Sequence, residues 1–343
     1  MIAPLSAVTQ TLYAELLERL LAESARRSVG KAPGTFTTKT LSGADYVYFQ
    51  YSEPGGKHRQ LYLGKKGMVL ERMIARFKRE RGDAAKERGD LERLSAQAQA
   101  GGGWTMGPRP ARVLKSFADA GVFDAGAVLV GTHAFGVFGN LLGVRWAGAH
   151  LRTADVDVAA VSLAASPERD NADAEKALER LEMGFIPVPG LDPRHPSTSF
   201  KVRGESLRVD FLAPGKEGSP VRLPSLSTSA QPLPYMDYLI ENPEKAAVLD
   251  AGGFLVLVPS PARFALHKVI VSTERPTSQE TKAIKDLAQA AQMLEHLAES
   301  RPGDLRLAVQ ALKKAWRPRF ERGMKRLLRL HPEAAGAASR LGL

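Results

Sequence analysis

Two aspartates stand two residues apart in an apolar run of the sequence. Asp155 and Asp157 alternate with Val156 and Val158, a pattern that predicts a buried strand. Because successive side chains of a strand point to opposite faces, both carboxylates share one face while the valines pack on the other. Two carboxylates about 6 Å apart repel by roughly 3 kcal/mol at an effective dielectric constant of about 20. A compensating cation is therefore expected, and Mg²⁺ prefers such oxygen ligands.

A third carboxylate and a glycine turn lie on other predicted strands. Asp210 stands in the apolar run 207–212, where an unpaired acid is costly to bury, so we expect it to bind the same metals. Upstream, Gly131 and Thr132 follow the predicted strand Val128–Val130. The amphipathic residues 134–142 then predict a helix.

The glycine turn, the aspartate pair and the lone aspartate together resemble the DNA polymerase beta nucleotidyltransferase superfamily. In that family a Gly-Ser or Gly-Gly pair precedes Asp-x-Asp, and this chain has Thr132, which keeps the hydroxyl. The resemblance implies transfer of a nucleotide from an NTP with two Mg²⁺ ions, Mn²⁺ being an alternative. It also implies that Asp155 and Asp157 bridge both ions, that Asp210 binds only the catalytic ion, and that Gly131 and Thr132 cradle a phosphate.

A structural interpretation of the aspartate pair stays open. The Asp-x-Asp spacing also occurs in calcium loops, solvated hairpins and strand ends. Its position between the glycine turn and a third acidic strand favours the metal site.

A more specific resemblance involves segments along much of the chain. They look like a bacterial group of nucleotidyltransferases and, more distantly, like nucleotidyltransferase toxins of toxin–antitoxin systems, which implies a regulatory protein partner. The segments are Gly131-Thr132-His133-Ala134-Phe135, Gly143-Val144-Arg145-Trp146, the aspartate pair, and residues 261–268 and 282–290.

The same resemblance implies that basic residues after the core contact the nucleotide phosphates. Lys268 is the first candidate, followed by Arg275, Lys282 and Lys285. The alternative for each is a solvated helical side chain. A further alternative is that Asp286 pairs with Lys282 at helical spacing instead.

The composition is that of a globular protein. The 343 residues are 44% hydrophobic, which is enough for at least one full core. The absence of cysteine excludes disulfides and thiolate zinc sites, and it agrees with a reducing cytoplasm. No apolar stretch reaches the length of a membrane span, so we expect a cytoplasmic protein without membrane contact.

The net charge of +11 predicts an anionic partner, with nucleic acid first. The basic residues concentrate near the C-terminus, where residues 313–329 carry a single acid, Glu321. Trp316 and Phe320 are interleaved with them and are expected to stack a base while the cations hold phosphates. Alternatively, the aromatic residues are core and the charges form an ordinary solvated helix face.

The predicted fold class is α+β, with a polymerase-beta-like core in which helices flank a mixed sheet. Residues 1–100 are predicted to hold a helix, a small three-stranded antiparallel β-meander and a charged linker helix. Residues 101–235 are predicted to be the catalytic core, and 236–343 a C-terminal helical domain. The glycine run 101–103 marks the first boundary, and residues 214–234, rich in Ser, Pro and Gly, predict an insertion or a substrate loop.

Two classes of function follow from these patterns. The first is an enzyme that transfers NMP from NTP to a hydroxyl, preferably at an RNA or tRNA end, with a protein side chain or a small molecule as the alternative acceptor. The second is a non-catalytic nucleic-acid-binding protein that uses the N-terminal sheet and the basic C-terminus. The presence of all three candidate acids, Asp155, Asp157 and Asp210, favours the enzyme.

Overall fold

The structure is a computed structural model, and it describes residues 2–28, 34–41, 44–52, 58–148, 153–161, 172–190 and 194–340. The helices described are α1 (Ala7–Ser28), α2 (Met68–Ala100), α3 (Pro108–Asp119), α4 (Gly131–Leu142), α5 (Ala174–Glu179), α6 (Met236–Ile240), α7 (Pro261–Ser272), α8 (Glu280–Ser300), α9 (Pro302–Gln310), α10 (Arg317–Leu330) and α11 (Ala335–Arg340). The strands described are β1 (Ala3–Pro4), β2 (Gly34–Leu41), β3 (Ala44–Ser52), β4 (His58–Lys65), β5 (Val128–Val130), β6 (Val144–Arg145), β7 (Asp155–Ala159), β8 (Phe185–Pro187), β9 (Ser199–Val202), β10 (Arg208–Pro214), β11 (Val221–Leu223), β12 (Thr228–Leu233), β13 (Glu244–Val248) and β14 (Phe254–Val258). The fold is α+β, as predicted.

A mixed sheet organises the middle of the chain. Within the described residues its main path runs β11-β12-β10-β7-β5, and β9 pairs with β10 and with β8. Strands β7 and β12 are parallel to β10, whereas β5 is antiparallel to β7. The buried residues Val156, Val158, Val209 and Phe211 line one face, and Phe117 of α3 packs on Phe211 with ring centroids 5.9 Å apart. The period of two therefore leaves the aspartates on the other face.

About half of the segment 214–234 belongs to the sheet, and the expectation of an insertion or substrate loop was wrong for β11 and β12. Strand β12 pairs with β10 through Gln231 and Pro232, and β11 pairs with β12. Leu223, Leu226 and Ala230 are fully buried and anchor these strands. Pro232 is tolerated because it lies beyond the part of β12 that pairs with β11, so its missing N–H costs no sheet hydrogen bond on that side.

The glycine run 101–103 is a packed turn rather than an open linker. Thr9 of α1 donates a hydrogen bond to the Gly101 carbonyl at 3.1 Å, and the Arg145 guanidinium donates to the same carbonyl at 3.0 Å. A Cβ at Gly101 would lie 2.2 Å from the Thr9 hydroxyl oxygen, so only glycine fits there. The division of the chain at this point stays a prediction, but the turn itself ties α2 to the core.

An antiparallel hairpin precedes the C-terminal helices, although only helices were expected there. Phe254, Val256 and Val258 of β14 are buried, and β14 pairs with β13. Helix α1 packs on the hairpin, where the Tyr13 hydroxyl donates to the Ala247 carbonyl at 3.2 Å. From Pro261 onward the described chain is helical, as predicted.

Strands β2, β3 and β4 form a separate three-stranded antiparallel sheet, where the alternating residues predicted a meander. Across the described residues, no helix has both the length and the apolar character needed to cross a membrane.

Candidate active site

Strand pairing brings two of the three predicted acids side by side. In the parallel register of β7 and β10, Asp157 lies opposite Asp210, and Asp155 lies opposite Arg208. Neighbouring strands are about 4.8 Å apart, and residues at even spacing share a face. Asp157 and Asp210 are half-buried, whereas Asp155 is exposed at the start of β7 on the same face. The sheet therefore brings the three carboxylates into one row, although Asp155 and Asp210 are 55 positions apart in the sequence.

The Gly131 turn lies directly against the Asp157 carboxylate. Val130, the last residue of β5, pairs with Asp157, and α4 begins at the next residue, Gly131. Gly131 has φ of 68°, in the left-handed region that favours glycine, and a Cβ there would lie 2.2 Å from Asp157 Oδ2. Helix α4 begins three residues before the predicted start at residue 134, so the free N–H groups of its first turn lie next to the acids.

The carboxylate row carries an excess of negative charge at Asp157. Burial, and next to it the nearby charges of Asp210 and Asp155, raise the pKa of Asp157 to about 7, although Lys268 and Lys282 oppose the shift. Such a raised pKa marks a group that would gain from a cation at its side.

Arg208 is a site residue that the sequence analysis missed. Its guanidinium Nε donates to Asp210 Oδ1 at 2.8 Å, and its side chain is 47% exposed. The signal was present, because Arg208 and Asp210 are two residues apart on one strand and must share a face.

Ser199 is a second residue that the sequence did not reveal. It lies opposite Asp210 in the antiparallel pairing of β9 and β10, and so on the carboxylate face. Its side chain is 4% exposed, and its hydroxyl oxygen has no hydrogen-bond partner among the described residues. No local pattern predicts this position, since it depends on which strand pairs with β10.

Lys268 and Arg275 converge on one buried acid. Lys268 Nζ lies 2.5 Å from Asp286 Oδ1, and Arg275 Nε lies 2.6 Å from Asp286 Oδ2. Burial acts to raise the pKa of Asp286, but the attraction of these two cations outweighs it and holds the pKa below its usual range. The alternative pairing of Asp286 with Lys282 was therefore wrong, because the α7–α8 contact supplies closer cations.

Lys282 and Lys285 of α8 lie close enough to the carboxylates to act on them electrostatically. The charge of Lys282 acts on Asp157, and the charges of Asp155 and Asp157 act on Lys285. Lys282 is exposed and Lys285 is half-buried. Burial, followed by the neighbouring Lys268, lowers the pKa of Lys285. The structure thus places all four predicted cations on the α7–α8 side of the site, with Lys268 and Arg275 held by Asp286.

His133, which follows the glycine turn, stays neutral. Burial, followed by the charge of Lys285, lowers its pKa to about 4. Its ring lies 6.2 Å from the ring of Trp104, and neither ring nitrogen has a hydrogen-bond partner among the described residues.

The site residues are suitable ligands for a divalent ion, although they do not form a complete coordination shell. No group of three His, Asp or Glu side chains that could hold a metal is found in the part of the chain that the structure describes. The fit rests on the paired carboxylates of Asp157 and Asp210, on the raised pKa of Asp157, and on the close approach of the Gly131 backbone to the Asp157 carboxylate, which leaves no room for a Cβ. Hard oxygen donors of this kind suit Mg²⁺.

Among the comparisons with known proteins, a family model identifies the group to which the chain belongs. A nucleotidyltransferase family model matches residues 109–314, more than half of the chain. The crystal structure of an antigenic nucleotidyltransferase-like protein from Paracoccidioides brasiliensis is similar to 67% of this chain and 92% of its own, at 14% identity and a TM-score of 0.37, which is too distant to carry an argument. The comparison with curated proteins gives no match. On the strength of the family model, this chain belongs to that nucleotidyltransferase family.

Proposed function

We propose that this nucleotidyltransferase moves NMP from an NTP to a hydroxyl, using Mg²⁺, and that the preferred acceptor is the end of an RNA such as a tRNA. The observation that carries the chemistry is the pairing of Asp157 with Asp210 beside the Gly131 turn. The net charge of +11 supports a polyanionic acceptor. A toxin-like role with a regulatory protein partner rests only on the resemblance of the sequence.

In the proposed reaction the acceptor oxygen attacks the α-phosphorus of the NTP. A new oxygen–phosphorus bond forms, the bond from the α-phosphorus to the bridging oxygen breaks, and pyrophosphate leaves with that electron pair. Asp155, Asp157 and Asp210 would hold two Mg²⁺ ions, with Mn²⁺ as the alternative. A bound metal would neutralise charge on the triphosphate and activate the acceptor hydroxyl. The proton of that hydroxyl passes to one of the site carboxylates.

The surrounding residues have separate roles in this proposal. The N–H groups at the start of α4, from Gly131 and Thr132, bind a phosphate, since a helix amino end favours anions. Lys282 and Lys285 bind the triphosphate from the opposite side, and Asp286 positions Lys268 and Arg275 toward it. Arg208 balances the charge of Asp210 through Oδ1 and leaves the second carboxylate oxygen for a metal ion.

The test follows label from each NTP in turn. Purified protein is incubated with Mg²⁺, one α-labelled NTP and total RNA, and RNA and protein are separated on one gel. Asp155→Ala serves as the blank, and Asp124→Ala, which removes an exposed acid outside the site, serves as the matched control. We expect label on RNA with wild type and Asp124→Ala only.

Other outcomes of this assay contradict the proposal in different ways. Label on protein instead of RNA would indicate that the acceptor is a side-chain hydroxyl. Metal-dependent NTP binding without any label would indicate a small-molecule acceptor. Absence of NTP binding would favour the non-catalytic nucleic-acid-binding function.

A further inference from the structure

A groove separate from the carboxylate row lies where the sheet meets the C-terminal helices. It encloses about 580 Å³, and its lining includes Pro214 and Lys216 after β10, Tyr235 before α6, and Lys313, Trp316 and Arg319 around the start of α10. We call it the Trp316 groove. The lining thus has two aromatic and three basic side chains against one acid, Asp237, and this composition suits a stacked base and its phosphates.

Trp316 is held firmly while part of its ring stays open to the groove. Its ring meets those of Tyr235 and Tyr238 edge to face, with centroids 5.1 and 6.1 Å apart. Lys313 Nζ lies 4.5 Å from the ring centroid, and Trp316 is half-buried. Tyr235 has φ of 64°, a backbone conformation that non-glycine residues adopt rarely and mostly where the surroundings demand it. The indole is therefore a pre-positioned aromatic surface.

Two cations of the groove are weakly neutralised. Lys313 pairs with Asp237 at 2.6 Å, and Arg319 pairs with Glu274 at 2.7 Å. All four side chains are at least 38% exposed, and exposed ion pairs contribute little net energy. A phosphate oxygen can replace either carboxylate at small cost.

Helix α10 extends the positive charge away from the groove. Its inner face buries Phe320, Met324 and Leu327. Its exposed cations have no ion-pair partner among the described residues; they are Arg317, Arg322, Lys325 and Arg329. Arg322 acts electrostatically on Tyr235 and so lies close to the groove. A row of unpaired cations leading from an aromatic pocket has the shape of a phosphate backbone track.

We propose that the Trp316 groove and the outer face of α10 bind a single-stranded polynucleotide, with one unpaired base stacked on Trp316. A duplex does not fit this arrangement, because its bases are already stacked on one another. The inference rests on the proposed function in one respect: the bound strand is the acceptor whose end reaches the carboxylate row.

The distance between the groove and the acids sets the length of that strand. Pro214 and Asp210 lie on β10 four residues apart, which is about 13 Å at about 3.3 Å per residue. Stacked bases advance about 3.4 Å per nucleotide, so a fully stacked strand covers this length of β10 in about four nucleotides. An acceptor must be long enough to span this length if it is to use both sites at once.

Binding is measured without NTP, so that it does not depend on catalysis. The probe is a labelled oligouridylate about 12 nucleotides long, followed by fluorescence anisotropy at about 50 and about 200 mM salt. We expect Trp316→Ala to weaken binding about tenfold. The double variant Arg317→Ala/Arg322→Ala should weaken it and reduce the slope of log K against log salt by about 1.4, at about 0.7 per phosphate contact.

Matched controls separate the groove from general charge and from folding. Arg306→Ala removes an exposed cation of α9 that does not line the groove, and it should bind like wild type. Trp316→Phe keeps an aromatic packing partner for Tyr235 and Tyr238, and it should abolish the quenching of tryptophan emission that oligouridylate causes in wild type. Oligodeoxyuridylate of equal length tests whether the 2′-hydroxyl matters, and binding of either strand supports the proposal.

The outcomes distinguish this inference from the proposed function. Equal binding of a duplex and of the single strand, with no effect of Trp316→Ala, would overturn the groove as a single-strand site. If binding depends on Trp316 in an otherwise wild-type protein and in Asp155→Ala, but no label is transferred to RNA, the groove is supported as a single-strand site and RNA is refuted as the acceptor. If transfer to RNA is unchanged in Trp316→Ala and in the double arginine variant, the role of the groove is refuted and the proposed function is not.

Discussion

Replacing Asp157 by Asn should stabilise the protein, and the effect should depend on pH in a defined direction. Asp157 is crowded by Asp210 and Asp155 in a half-buried position, and its pKa is raised from the ordinary 3.8 to about 7. The folded protein therefore holds this proton more tightly than the unfolded chain does. The protonated Asp157 carboxyl therefore stabilises the folded protein fully below about pH 4. This stabilisation decreases as the pH rises from about 4 and is gone above about 7.

The size of the effect follows from the same two values. The difference between 3.8 and about 7 corresponds to about 4 kcal/mol at high pH, with water at the partly exposed carboxylate reducing it. We expect Asp157→Asn to raise the free energy of unfolding by about 2 to 4 kcal/mol at pH 8, since the neutral amide removes the repulsion. At pH 4 the wild-type carboxyl is protonated and the difference should approach zero.

Urea unfolding followed by far-UV circular dichroism measures this, at pH 4 and pH 8 and with a chelator present. Asp124→Asn, at an exposed position outside the site, is the control and should match wild type at both pH values. A variant no more stable than wild type at pH 8 would refute the electrostatic reasoning. Adding Mg²⁺ at pH 8 should stabilise wild type more than Asp157→Asn, because only the carboxylate offers a charged ligand.

Further substitutions test the packing around the site. Gly131→Ala should lower the free energy of unfolding by about 1 to 2 kcal/mol, since a backbone φ of 68° is unfavourable for alanine. It should also abolish nucleotidyl transfer, because the new Cβ would collide with the Asp157 carboxylate. Normal transfer by this variant would contradict the second expectation. Asp286→Ala leaves two cations unpaired and should cost about 3 to 5 kcal/mol in urea unfolding, whereas a loss below about 1 would show that the pairs are dispensable. Ser199→Ala removes a buried hydroxyl without a partner, so thermal unfolding should show no loss of stability.

The central strands were predictable because their signal is local. Asp155 and Asp157 alternate with valines that the sheet buries, and the period of two alone fixes which face each residue takes. The glycine turn was predictable for a similar reason, since a glycine between a short apolar strand and an amphipathic run marks a sharp change of direction. Both features can therefore be predicted from residues close together in the sequence, and the family model matches the same part of the chain.

Strand order and long-range pairing were not predictable in this way. Strand β12 contains Ser229 and Pro232 in a segment whose composition suggests a loop, and burial of its other residues against β10 decides its conformation. Ser199 lies opposite Asp210 only because β9 pairs with β10. Such contacts depend on tertiary packing, which overrides local propensity.

The arrangement of the basic residues explains why one acid is buried among them. Lys268 is 11% exposed, and burial so deep would penalise its charge heavily without a partner. Asp286 pairs with Lys268 and Arg275 together, while the charges of Lys282 and Lys285 act on the carboxylate row. A single carboxylate therefore holds two cations in place without cancelling the positive excess on the α7–α8 side. That excess and the negative row act on each other across the site. The metal-bound triphosphate of the proposed function carries both signs of charge and would be complementary to both sides.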